Sequence, residues 1–159
     1  MKEVKKMLTK PKNGWTDFSL EGTFAYGLSY LDDIAFEWLD QAIHGLETLS
    51  PFCVKGFLEP NRMLCMVSYW NCHIIVENDE RYLLKKEQIR NEYSHTSMIE
   101  FCKYLYNDVY DHRDGWISFV DYADADPEKK EQQLLQKLER LKELIVQREE
   151  CFGEDRCFL

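Results

Sequence analysis

The chain is short of glycine, short of proline and free of long apolar runs, and each shortage excludes a class of protein. Its 159 residues hold seven Gly, all dispersed, so no glycine-rich loop is present whose backbone amides could cradle a phosphate. No stretch nears the roughly 18 consecutive apolar residues of a membrane span. The opening residues, MKEVKKMLTKPKNG, are basic and lack the apolar centre of a secretory signal. There is no C-x-x-C and no H-x-x-x-H, the close spacings that hold zinc. Lys and Arg are missing from residues 30–50, and beyond the first 14 residues no segment carries a basic excess. Binding to nucleic acid needs such an excess to neutralise phosphates. The expectation is a cytoplasmic protein with no cofactor, no metal, no membrane segment and no nucleic-acid partner.

What the chain does have is apolar bulk and negative charge. Its composition is 45% hydrophobic and 14% aromatic, enough for a single packed domain of this length. The net charge of −9 is unevenly spread. Residues 1–14 are basic, 30–50 carry five acids and no base, and 99–126 carry seven acids against two bases. Most of the six Cys lie inside apolar runs such as MLCMV and EFCKYL, where a reduced thiol behaves as a small hydrophobe. Cys151 and Cys157 flank a short acidic tail and could pair with each other if oxidised.

The pattern along the chain gives an α+β order. The arm 1–14, closed by Pro11 and Asn13-Gly14, is expected to lie outside the core, with one domain over 15–150 and a tail at 151–159. A short strand is expected over Trp15–Leu20, ended by Gly22. Ser29 with Asp32 reads as an acidic capping box for a helix over 30–49, whose stripe is Leu31, Ile34, Ala35, Trp38, Ala42, Leu46 and Leu49. Ser50-Pro51 stops it. Between 52 and 88 the segments FCVKGFL, RMLCMVSY, CHIIVE and RYLLKKE predict an antiparallel meander of three to four strands. Because Tyr69-Trp70 is poor turn chemistry, one bent strand over 62–77 is an alternative. Ser97 and Glu100 form a capping box for a helix over 98–112, and residues 116–120 read as a possible fifth strand. Asp126 and Pro127 are N-cap and first residue of a helix over 127–150. Its Leu134, Leu138, Leu141 and Ile145 recur at 4-3-4 spacing, for under two heptads, either packing on the domain or pairing with a second copy.

The segment 99–126 interleaves aromatics with acids: Tyr104, Tyr106, Tyr110, Trp116, Phe119 and Tyr122 among Asp108, Asp111, Asp114, Asp121, Asp124 and Asp126. Aromatics supply contact area and carboxylates a negative field, a pairing suited to a basic protein surface. The letters His112-Arg113-Asp114 match the protein-kinase catalytic loop. That loop needs an Asn five residues past the Asp, where this chain has Phe119. Asp121, Asp124 and Asp126 fail the calcium-loop pattern, which needs Gly sixth and Glu twelfth, where this chain has Asp126 and Gln132. His112 and Arg113 are instead expected to face the negative end of the 98–112 helix. On the strand 72–77, Cys72 and His73 point to opposite faces while His73, Ile75 and Glu77 share one, so His73 and Glu77, with His112, form an alternative acid-base set.

These readings predict an α+β fold and a non-enzymatic interaction protein that binds a protein partner, a basic one. Its partner-binding residues are Trp38, Tyr106, Tyr110, Asp111, Asp114, Trp116 and Asp121. In size, charge and want of a catalytic motif the chain is similar to bacterial immunity proteins, which neutralise toxins. The similarity is one of kind, and no motif points to a particular immunity family. A small enzyme using His73 and Glu77, or a sensor or adaptor dimerised through the 127–150 helix, are the other classes the sequence allows.

Overall fold

A computed structural model describes residues 6–77, 89–120 and 126–153. The α+β expectation holds: a four-stranded antiparallel meander and a two-stranded hairpin pack against helices. The hairpin is β1 (Trp15–Phe18) and β2 (Tyr26–Ser29). Helix α1 (Ile34–Thr48) follows, then the meander strands β3 (Phe52–Phe57), β4 (Arg62–Val67), β5 (Cys72–Glu77) and β6 (Ile89–Ser94), in sheet order β3-β4-β5-β6. Helices α2 (Met98–Asp111), α3 (Arg113–Ile117) and α4 (Pro127–Arg148) complete the domain, and a 3-10 turn spans Glu149–Phe152.

The sheet has an inner and an outer face because alternate side chains point to opposite sides. Phe52 and Val54, then Met63, Cys65 and Val67, then Cys72, Ile74 and Val76 are all buried. The registers Val54↔Cys65 and Cys65↔Ile74 place them in rows across the strands. Helix α1 packs on β3, and it comes close because residue 45 is Gly: a Cβ there would lie 2.3 Å from the Phe52 ring. The cysteines Cys65, Cys72 and Cys102 are buried and unpaired, filling core volume as the apolar runs around them predict. Cys157, and with it the Cys151–Cys157 pairing, lies outside the described residues.

Two helix starts follow their sequence signals. The Ser97 hydroxyl accepts the Glu100 N–H, and Asp126 accepts from the N–H groups of Glu128 and Lys129, with Pro127 at the first helical position. The α4 stripe Leu134, Leu138, Leu141 and Ile145 is buried, joined by Leu144. The Ser29–Asp32 capping box is not formed. Ser29 ends a strand, the helix begins at Ile34, and Leu31 is exposed. The competing structure is the pairing of Trp15 with Ser29 and of Phe18 with Tyr26, which fixes 26–29 as extended backbone.

Two more expectations are corrected, and the alternative of one bent strand over 62–77 is set aside. Tyr69-Trp70 does form a hairpin tip, closed by the Ser68 N–H to the Asn71 carbonyl. Poor turn propensity is outweighed by packing: Tyr69 donates its hydroxyl to the Leu49 carbonyl, and the Trp70 ring meets Phe152 at 5.4 Å. Residues 116–120 are not a strand, since Arg113–Ile117 is helical and Trp116 and Phe119 both turn into the core. The N-terminal arm is not wholly outside either: Met7 and Leu8 are buried, and Leu8 bridges to Phe18. The expected strand over 81–87 lies outside the described residues; the fourth strand of the sheet is 89–94.

Candidate functional site

Charge along α1 and α4 settles where the acidic 30–49 block faces. The two helices run parallel in contact, and α4 brings Lys130 to Asp33 at 3.3 Å, Lys137 to Asp40, and Arg140 to Glu47 at 3.2 Å. Arg148 donates to the carbonyls of Leu46 and Glu47, the negative end of α1. The Lys137–Asp40 and Arg140–Glu47 pairs are exposed and contribute about 0–1 kcal/mol each, so their effect is register more than stability, whereas Lys130–Asp33 is largely buried. Asp33, Asp40 and Glu47 thus face basic residues of the same chain, Asp33 largely covered and Asp40 and Glu47 still exposed to solvent.

Trp38 and Trp116, expected at a binding surface, are core residues, exposed by 1% and 0%. Trp38 donates its indole N–H to the Lys55 carbonyl at 2.9 Å and meets Phe18 edge-on. Trp116 donates to the Asp108 carbonyl at 3.3 Å. Asp121 lies outside the described residues. The remaining four candidates cluster at the C-terminal end of α2. Tyr106 and Tyr110, one turn apart, stack with centroids 5.6 Å apart. The Arg113 guanidinium lies 4.1 Å over the Tyr110 ring and donates to the Tyr110 carbonyl, capping the helix end as expected of it. Asp111 and Asp114 are exposed beside them.

The tyrosines form one wall of a groove of about 670 Å³ between α2 and α4. The other wall is α4: Leu135, Leu138, Glu139, Lys142, Glu143 and Val146. Lys103, near the start of α2, pairs with Glu149 at the end of α4, so the helices flanking the groove are antiparallel. Tyr110, Leu135 and Val146 are large apolar groups left in solvent, Val146 by 66%. Sequence reasoning missed Leu135 and Val146, although the signal is present. Each sits next to a member of the buried stripe, at a position outside the 4-3-4 spacing of Leu134, Leu138, Leu141 and Ile145.

The alternative acid-base set is not assembled into one site. The His73 ring hydrogen-bonds Asn91 at 2.7 Å and stacks on Tyr93 at 4.4 Å. Glu77 is held by Arg62 through two bonds of 2.8 and 3.0 Å. His112 lies at the junction of α2 and α3, where burial and then the charges of Lys6 and Lys10 push its pKa down. Among the described residues no group of three or more His, Cys, Asp or Glu is placed to hold a metal ion, and no described helix is long and apolar enough to cross a membrane. Compared with family models, curated proteins and solved structures, the chain has no match among them.

Proposed function

We propose that this is a non-enzymatic binding protein that holds an amphipathic, basic helical segment of a partner protein in the groove between α2 and α4. The observation that carries the reading is the groove itself: stacked Tyr106 and Tyr110 face exposed Leu135 and Val146. Glu139 and Glu143 line it with Lys142, and Asp111 and Asp114 are exposed shortly after Tyr110 in the chain. An apolar trough with an acidic surround takes a helix whose apolar face is flanked by Lys and Arg, and aromatic anchors of this kind carry most of the energy of such contacts. A basic partner neutralised by a small acidic protein is the immunity or antitoxin relationship, and the buried thiols suit a reducing cytoplasm.

Catalysis at His73 and Glu77 has less support, because each side chain is already engaged by a cross-strand neighbour. Dimerisation through α4 has less support than packing, because its Leu stripe is used within the domain.

The test is native capture from the source cells, identification of the bound protein, and calorimetric titration with purified partner. Tyr110→Ala is expected to weaken binding about 30-fold, roughly 2 kcal/mol, at an unchanged denaturation midpoint. Asp111→Asn with Asp114→Asn should slow association and flatten its salt dependence. A partner bound with wild-type affinity by both variants would place the site elsewhere.

A further inference from the structure

Strand β6 pairs with β5 on one side and with no described strand on the other. A free edge presents a row of backbone N–H and C=O groups able to take another strand. Ile89, Asn91 and Tyr93 lie on the outer face of the sheet, opposite Glu77, Ile75 and His73. Arg90 and Glu92 lie on the inner face, opposite Val76 and Ile74. The two charges flank Asn91 symmetrically, and both are held in place. The Arg90 guanidinium sits 4.1 Å over the Phe24 ring, while Glu92 accepts the Tyr26 hydroxyl and the Phe24 N–H.

This edge is complementary to itself. With a second β6 antiparallel to the first and a two-fold axis at Asn91, Arg90 stands opposite the partner's Glu92, and Glu92 opposite the partner's Arg90. Ile89 meets the partner's Tyr93 on the outer face, where Tyr93 is 69% exposed. Directly opposed residues share a face, so these are the cross-strand pairs that stabilise a sheet. The two neighbouring registers that keep the faces aligned place Arg90 against the partner's Arg90, or Glu92 against the partner's Glu92, and are repelled. We infer that β6 is the seam of a symmetric dimer in which two copies join edge to edge, running one sheet through both. The seam uses residues 89–93 and none of the groove residues, so it stands whether or not the groove binds a partner.

Sedimentation of the full chain over a range of concentration is expected to show a monomer–dimer equilibrium that weakens with salt. Arg90→Glu sets like charges opposite each other at both ends of the seam and should raise the dissociation constant at least about tenfold. The double exchange Arg90→Glu, Glu92→Arg should restore the dimer, which a purely local role for either residue would not do. Asn91→Cys gives an independent readout: opposed Cα atoms in an antiparallel pair are about 4.5–5.5 Å apart, within disulfide range. Mild oxidation should link this variant across the axis, above the background of exposed Cys53, while Tyr93→Cys should not exceed that background. A wild-type chain monomeric at all concentrations, a dimer indifferent to Arg90→Glu, or one broken instead by Leu135→Lys overturns the inference.

Discussion

Replacing Trp38 by Ala is expected to remove about 4 kcal/mol of folding stability, the range of large aromatic truncations in a core. That is a large share of the 5–15 kcal/mol by which domains of this size are held. Trp38 lies at the centre of the packing: its ring meets Phe18 of the hairpin at 5.2 Å and Phe101 of α2 at 6.1 Å. Phe101 in turn meets Phe52 of the sheet at 5.7 Å. Its indole N–H also holds the Lys55 carbonyl, so truncation opens a cavity and strands a backbone acceptor. Trp38→Phe keeps much of the ring and loses the hydrogen bond, with an expected cost nearer 1 to 2 kcal/mol. Urea denaturation of the three proteins checks the order. A Trp38→Ala protein with the wild-type midpoint and impaired partner capture would return Trp38 to a binding surface.

The two misplaced tryptophans show what composition cannot resolve. The aromatic content of 99–126 and of the 30–49 helix is legible in the sequence, but whether a given ring faces in or out depends on elements the pattern did not supply. On a strand, one of Trp116 and Phe119 would face solvent. On the short helix α3 both turn inward. Local signals were dependable where the physics is local. The Ser97 and Asp126 caps, the α4 stripe, the alternation of β3 and β5, and the Glu59-Pro60-Asn61 turn between strands all follow from neighbours in sequence. They failed where a long-range contact decides, as at Ser29, which the pairing of β1 with β2 holds extended, and at Tyr69-Trp70, which packs on residues about 20 and 80 positions away.

The same distinction applies to charge. The acidic blocks are plain in the sequence, and their partners are not. Asp33, Asp40 and Glu47 meet Lys130, Lys137 and Arg140, which lie nearly 100 residues downstream. Basic residues of α4 offset three acids of α1, while Asp111 of α2 and Asp114 of α3 are exposed. Helix α4 packs on α1 and also on α2 and α3.

Removing the Asp108 carboxylate is the second substitution expected to matter most. Asp108 is 4% exposed, and one of its oxygens accepts the N–H groups of both Met7 and Leu8 at 2.9 Å, pinning the N-terminal segment a hundred residues away. Asp108→Ala strands two buried donors, at an expected cost of about 3 kcal/mol, and should open residues 6–12 to limited tryptic cleavage after Lys12. Asp108→Asn keeps an acceptor oxygen and removes the titration. Burial pushes the Asp108 carboxyl up to about 6, with a smaller push from Asp111, while the bonds from Leu8 and Met7 and the charge of Lys6 pull it down. A carboxyl near 3.8 in the unfolded chain and near 6 in the fold binds its proton more tightly when folded. Its contribution to stability is therefore greatest below about pH 4 and declines as pH rises through 6, by on the order of 2 kcal/mol. The stability of the Asp108→Asn protein relative to wild type should accordingly improve by that amount between pH 4.5 and 7, measured by denaturant titration at each pH. A relative stability of Asp108→Asn that falls as pH rises would mean that the two N–H bonds and Lys6 outweigh burial, making the ionised carboxylate the preferred clasp.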